Sequence, residues 1–534
     1  MTPEAAGCAL PSEASGREVS PAASGRALSP DTPELDLRLV PGALTAWAVT
    51  AAGITCGGGF WLATLSAFVA LGWWAGARWG GERWPVLRTG AAAVLGAAVV
   101  GVGFGVAVGL RNDAAVNHLL AQRAGTTVGV TVTPVETPHR AGPGRVMFRA
   151  DLSRVDDRES SGAVTVFAAG IDFAGLGPGQ PARFRARVSR PARRDLTVAV
   201  LSPVGRPVSG PAPRLQRMAR AIRDRFAAAA RDVLPVDQAA ILPALALGDT
   251  SAVPAATAAD FRAAGLTHLM AVSGANVTII CAAVLLSAHL IGPRPAVALA
   301  ALALAGFVVV VQPSPSVLRA AVMAAIGLMA VLSGRRRQAV PVLAATVLAL
   351  ILIAPQLSVE LGFALSVAAT AALVVIAPVW SQRLAARGWP KPLSDALCVA
   401  LAAQLATAPL IAAISGTFSL VSVLANLLAA VVIPPITVFG TLAAALGCLW
   451  PQAAGFLIRF TGPELWWLLH VAHGAGRMPG ATVGVPSGWA GLLSVGAAGV
   501  AAVLMWRWRW FRFAAGGVGL CVLAWSVSGL VGAA

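Results

Sequence analysis

The chain of 534 residues is 57% hydrophobic and only 12% charged, with a mean hydropathy of +0.75. That balance excludes an ordinary soluble globular protein and points to a polytopic membrane protein. The net charge of +17 is carried by arginine in loops and in one soluble segment. Membrane topology alone would place it there, so charge by itself does not indicate nucleic acid.

Lys391 is the one lysine and tyrosine is absent, a bias expected of GC-rich coding rather than of function. Cys8, Cys56, Cys281, Cys398, Cys448 and Cys521 form no C-x-x-C pair. They predict neither a disulfide framework nor a zinc site, and no metal or cofactor is expected.

Residues 1–41 are rich in Pro, Ser, Ala and Glu and have no apolar core, the composition of a disordered tail. Without an apolar h-region no cleaved signal peptide is expected, and the tail is assigned to the cytoplasm. Residues 42–110 then carry the first membrane helices: two close ones within 42–78, a loop with Arg78, Arg83 and Arg88, and a third over 86–110. An arginine loop favours the cytoplasm, which puts the chain after Leu110 outside.

Over 124–205 the pattern changes to short alternating runs at Thr127–Thr133, Arg145–Val155, Ala163–Ala169, Ala182–Ser189 and Leu196–Leu201. Five short strands separated by turns such as Ala141–Gly144 predict a small exterior β-barrel of the OB type. Arg145, Arg149, Arg183, Arg185 and Arg187 make it basic, and Phe148, Phe167, Phe173 and Phe184 are its candidates for stacking on bases. Since some of these rings must fill the core, a solvated spacer domain is the plain alternative.

Between Pro211 and Pro235 an arginine-rich segment places Leu215, Met218, Ile222 and Phe226 on one helical face. Residues 211–235 therefore predict an amphipathic helix at the membrane surface. Further apolar runs lie near 265–291, 293–312, 315–333, 338–354, 358–380, 393–415, 418–450, 452–472, 487–506 and 513–532. With the earlier helices they give about 11–13 transmembrane helices. Alternate crossing puts the Arg335–Arg337 loop and the loop bearing Arg383, Arg387 and Lys391 on the cytoplasmic side. The side of Arg507, Arg509 and Arg512 depends on whether Pro434–Pro435 divides the 418–450 run.

Polar residues inside this apolar half are costly and are functional candidates: Asp249, His268, Ser273, Asn276, Arg319, Glu360, Gln404 and Asn426. Asp249 serves equally as the cap of a helix starting near Thr250–Ala256, and Arg319 as a snorkelling arginine near the outer surface. His268 and Ser273 are five residues apart, a spacing that no helical turn brings together, so no serine nucleophile is proposed. The Ser273–Asn276 run is expected to break a helix at membrane depth. His470 and His473 lack a third ligand nearby, which removes a metal site.

The run Ala246–Asp249 followed by Gly265–Gly274 resembles the signature of the ComEC/Rec2 competence proteins. Ser316–Met323, Leu361–Ser366, Ala403–Leu410, Leu424–Leu428 and Met478–Gly480 are similar to later motifs of that family, in the family's order. The resemblance covers roughly residues 42–485 and implies a channel domain over 236–485 followed by membrane helices over 486–534. Where many members carry a second histidine this chain has Asn276, so that role does not transfer. The family's metallo-β-lactamase-like nuclease cluster, H-x-H-x-D-H, finds no match among six histidines, so the chain is not expected to be an enzyme.

The resemblance implies a channel passing single-stranded DNA through the cytoplasmic membrane during natural transformation. Arg319 is then a cation on the path, and His268, Ser273 and Asn276 shape its constriction. Gln404 and Asn426 offer neutral hydrogen bonds. Asp249 and Glu360 sit poorly beside a polyanion and are assigned to structural pairing with Arg319. The partners implied are the lipid bilayer, an exterior DNA receptor, a cytoplasmic translocase ATPase, a separate nuclease and further copies of the chain in a homo-oligomer. The alternative is a proton-coupled transporter of small molecules or lipid precursors using Asp249, His268 and Glu360 as a relay.

Overall fold

The computed structural model describes residues 36–79, 85–272, 274–312, 314–332, 338–478 and 480–505, with scattered positions from 508 to 528. Most of the expected tail, Arg83, Ser273, Arg335–Arg337, Arg507, Arg509, Arg512 and much of the last apolar run lie outside the described residues.

Among the described residues, six helices are long and apolar enough to cross a membrane: Gly59–Gly76, Ala92–Val116, Pro293–Val311, Leu361–Ala385, Lys391–Ser415 and Gly488–Met505. Ser422–Ala429 and Ile433–Leu446 count as a seventh when taken as one span, bent by 53°. The bend follows from Pro434 and Pro435, which open the second helix. Proline cannot donate to the preceding turn, and it disfavours helical backbone in the residue before it. Five shorter apolar helices accompany these: Val40–Cys56, Val236–Leu247, Gly274–Ser287, Ser316–Leu332 and Ala339–Ile353. The chain is a multi-pass membrane protein.

Small residues bring the first helices together. A Cβ at Gly59 would lie 2.6 Å from the Gly109 nitrogen, and one at Gly105 would lie 2.8 Å from the Ala63 nitrogen. Backbones this close are the packing that glycine permits in lipid, where contact area replaces the hydrophobic effect. Trp47 Nε1 donates to the Ser358 carbonyl at 2.8 Å, fastening Val40–Cys56 to the turn before Glu360. Farther along the chain, Phe226, Ile241, Leu242, Phe261, Leu266, Ile436 and Leu465 form the largest core, each no more than 2% exposed.

The segment after Val116 forms a closed five-strand barrel. Its strands are β1 (Thr127–Pro134), β3 (Arg145–Val155), β4 (Arg158–Ala169), β5 (Ala182–Ser189) and β6 (Ala199–Ser209), with a two-residue piece, β2 (His139–Arg140), on the edge of β3. The ring runs β1-β3-β4-β6-β5 and back to β1. Every pairing is antiparallel except that of β4 with β6. Strict alternation of buried and exposed residues along β5 sends Ala182, Phe184, Ala186 and Val188 inward and Arg183, Arg185, Arg187 and Ser189 outward. Phe148, Phe173 and Phe184 fill the interior, with neighbouring ring centroids 6.4 and 5.3 Å apart. Burying each ring is worth roughly 1.5–3 kcal/mol.

The last strand starts later than Leu196, because Leu196 takes a left-handed φ of 68° and turns the chain before Ala199. The amphipathic helix is Arg214–Val233. Its carboxyl half is buried through Phe226 and Ala230, while Leu215 and Met218 stay exposed at 56% and 64%.

Candidate functional site

The stretch from Leu245 to Ile280 is a succession of helix ends. Val236–Leu247 stops at Gly248, whose φ of 75° only glycine adopts without strain. Asp249 caps no helix: the next one is Ala255–Ala263, with Pro254 at its start. Instead Asp249 Oδ1 accepts the Ser251 N–H at 3.0 Å and closes a turn. Gly265, with φ 73°, presses on Ser422, whose Oγ would be 2.4 Å from any Cβ added there.

A break is present, but earlier than expected: it stands at Ala271–Val272, and Gly274–Asn276 are already helical. A short helix Thr267–Met270 gives way to extended backbone at Ala271, and Gly274–Ser287 resumes the helix. His268 is exposed on the short helix. Asn276 is 4% exposed and donates from Nδ2 to the Leu245 carbonyl at 3.0 Å, an acceptor left over at a helix end. Thr437 Oγ1 reaches its Oδ1 at 3.5 Å. Asn276 therefore joins three helices rather than presenting its amide to an open path. Ser316 Oγ donates to the Val272 carbonyl at 2.9 Å, satisfying backbone freed by the break.

Arg319 is not a snorkelling residue, being 6% exposed. Its Nε donates to Ser366 Oγ at 2.7 Å and one terminal nitrogen lies 3.4 Å from Met323 Sδ. The other lies 3.0 Å from where a Gly274 Cβ would stand, so the guanidinium rests on the first turn after the break. No carboxylate pairs with it among the described residues. A buried cation without a counter-charge is costly unless a passing anion supplies one.

The pairing expected of Arg319 with Asp249 and Glu360 is thus replaced. Glu360 forms an ion pair with Arg149 of β3, and Arg149 also meets Glu136 at 3.3 Å. Burial works against the Arg149 charge, but Glu136 and Glu360 outweigh it and raise its pKa above the ordinary arginine value. A second contact joins barrel and bundle nearby. Thr137 Oγ1 lies 2.7 and 2.9 Å from the carboxamide of Gln312, a residue held at φ 74°. With that amide assigned so that its oxygen faces Arg223, Arg223 donates to it at 2.9 and 3.0 Å, and also to the Val310 carbonyl at 2.7 Å. Burial lowers the Arg223 pKa, while the nearby Asp249 charge opposes that shift.

Gln404 and Asn426 do come together, around Ser422: its hydroxyl donates to Gln404 Oε1 at 3.0 Å, and Asn426 Nδ2 donates to its carbonyl at 2.8 Å. Of the barrel arginines, Arg183, Arg185 and Arg187 form one outward row on β5, and Arg145 stands exposed at the start of β3. Phe167 is the single exposed barrel phenylalanine, at 41%. Asp249, His268 and Glu360 are not paired with one another. Sequence reasoning missed Glu136, Thr137, Gln312, Ser366 and Ser422. Of these, Ser366 ends the Leu361–Ser366 motif, and Gln312 is a polar residue closing an apolar run.

A family model described as "Competence protein" matches residues 245–510. The "ComE operon protein 3" of Bacillus subtilis (strain 168) is 29% identical over 209 residues, which make up 39% of this chain and 26% of that protein. The match thus spans about a quarter of that relative's length. No solved structure matches the chain.

Proposed function

The chain belongs to the competence protein family, and from that membership we propose that it conducts single-stranded DNA across the cytoplasmic membrane during natural transformation. The observation that carries the reading is Arg319, a buried guanidinium at a helix break without a carboxylate partner among the described residues. A phosphodiester strand supplies the missing counter-charge as it passes.

In this reading the barrel lies outside the membrane and is of the OB type. Its strand order supports that: taken along the chain, the five long strands close as first, second, third, fifth, fourth, with the one parallel pair between third and fifth. The Thr137–Gln312 and Arg149–Glu360 contacts hold two helix ends under the barrel. The loop from Arg383 to Lys391, at the far end of the Leu361–Ala385 span, then faces the cytoplasm. Counting the shorter apolar helices as crossings accommodates the expected 11–13. Gln404 and Asn426 offer neutral hydrogen bonds along the wall, His268 and Ser273 shape the constriction, and Asn276 braces it.

The chain then takes no catalytic step itself, and reception, pulling and nucleolysis fall to an exterior receptor, a translocase ATPase and a separate nuclease. The proton-relay alternative has no geometric support, since Asp249 and Glu360 make separate contacts and His268 pairs with neither. Internalisation of radiolabelled transforming DNA tests the proposal in cells lacking the chain and in cells carrying wild type, Arg319→Ala or His268→Ala. Loss on deletion and in the Arg319 variant is expected. Normal import by the deletion strain sinks it.

A further inference from the structure

A cleft of about 350 Å³ separates the barrel from the Arg214–Val233 helix. Its barrel side is the loop at 177–180 and the chain leaving β6, and its helix side carries Gln216, Arg217, Arg220, Arg223 and Asp224. The barrel side is firmly held. Gln180 accepts the Gly177 N–H at 3.2 Å and donates to the Gly210 carbonyl at 3.1 Å, while Gly179 donates to the Pro134 carbonyl at 2.8 Å. Arg220 donates one N–H to the Gly175 carbonyl at 3.0 Å and Arg217 one to the Ala212 carbonyl. A guanidinium has five N–H groups, so each keeps donors for an anion. The opposing charge in the cleft is the Asp224 carboxylate, 3.8 Å from Arg220.

Beside these donors Gln216 Oε1 is buried and accepts no hydrogen bond from the described residues. A buried acceptor without a donor is costly. The cleft therefore presents free cationic donors, with one idle acceptor shielded in its wall at Gln216, together the complement of a group that joins an anion to an N–H. A nucleotide is such a group, since its backbone carries a phosphate at one end and every base carries an N–H on its pairing edge at the other. A lipid headgroup fits less well. At 100° per residue Leu215 and Met218, the exposed apolar residues of this helix, lie on the opposite flank from Arg217 and Arg220, so acyl chains would be directed away from the cleft.

We propose that this cleft seats one nucleotide of a single strand, with Arg217 and Arg220 holding its phosphodiester and Gln216 accepting an N–H from its base. The inference rests on the reading of the chain as a conductor of single-stranded DNA, and adds a station between barrel and helix, apart from Arg319.

The test is fluorescence anisotropy of a labelled oligothymidylate on the full-length chain in neutral phosphatidylcholine nanodiscs, over a range of salt. Arg220→Gln is expected to weaken binding several-fold and to reduce the slope of log affinity against log salt by about 0.7, the share of one single-strand phosphate contact. Arg220→Lys should restore the slope. Gln216→Leu should weaken binding of the thymidylate but not of an abasic strand of equal length, with the slope unchanged. Wild-type affinity and slope in all three variants overturn the proposal while leaving the channel reading intact. A wild type that binds no strand in these nanodiscs and imports none in cells overturns both. A variant effect that appears only with phosphatidylglycerol in the nanodiscs assigns the cleft to lipid and also overturns it. If Arg220→Gln does not fold, photo-cross-linking of a 5-iodouracil strand to wild type decides. Adducts within 212–224 support the seat, and adducts confined to other segments refute it.

Discussion

Arg149 on β3 is ion-paired with Glu360, 211 positions later, at the start of the Leu361–Val375 helix. The pair ties the barrel to the bundle together with Thr137 and Gln312. The Arg149 side chain is 47% exposed and that of Glu360 22% exposed, so solvent screens the attraction. A double-mutant cycle with Arg149→Ala and Glu360→Gln, read by thermal unfolding of the full chain, should give a coupling of at most about 1 kcal/mol, smaller at high salt. A coupling of several kcal/mol, insensitive to salt, would mean that the pair is sealed from water.

Asn276 should matter chiefly to folding, because it ties three helices together. Asn276→Leu leaves the Leu245 carbonyl buried without a donor and should destabilise the chain by about 1–3 kcal/mol. Thr437→Val removes only a contact at 3.5 Å and should cost less. Thermal denaturation of both variants in detergent checks the order. Equal stability of wild type and Asn276→Leu would show that the bond to the Leu245 carbonyl does not hold the helices together.

His118 confers a pH dependence outside the membrane. Its Nδ1 accepts the Leu120 N–H at 3.2 Å, so the ring must be neutral there, and its Nε2 meets Ser160 Oγ at 2.9 Å. Burial lowers its pKa below the ordinary 6.5, and a backbone contact at Ser161 offsets some of that. The folded state then binds fewer protons than the unfolded one. The contribution is complete above pH 6.5 and is lost as pH falls from there through the folded pKa. Stability measured from about pH 8 down to about pH 5 should fall more for wild type than for His118→Gln. Parallel curves would show that His118 does not titrate differently on folding.

Helix contact at the amino end should be intolerant of a single methyl group. Gly59→Ala places a Cβ 2.6 Å from the Gly109 nitrogen and must push the two helices away from each other. Gly103→Ala meets nothing within 4 Å and serves as the control. Thermal unfolding should fall for the first by roughly 1–3 kcal/mol, the range for overpacking, and not for the second.

Patterns local in sequence were legible. Alternation along Ala182–Ser189 marked the strand and its arginine row, and a helix break was legible near its place, at Ala271–Val272 rather than across the helical Gly274–Asn276, because both follow from short-range geometry. The start of β6 was not, since a left-handed Leu196 carries no composition signal. Long-range partners were equally hidden. Nothing near Arg319 in sequence names Ser366, and nothing near Glu360 names Arg149. Lone polar residues in an apolar chain show that partners exist, but only the fold chooses them. Asp249 misled for the opposite reason: a carboxylate at a helix end suits a turn as well as a cap.

In the proposed function the Arg319 charge serves a passing polyanion. The most direct test is transfer of labelled single-stranded DNA into liposomes reconstituted with wild type, Arg319→Lys or Arg319→Ala, under an imposed membrane potential. Wild type should transfer the strand, Arg319→Lys should transfer less, and Arg319→Ala should transfer little although it still inserts and folds. Transfer by folded Arg319→Ala at the wild-type rate would contradict that role.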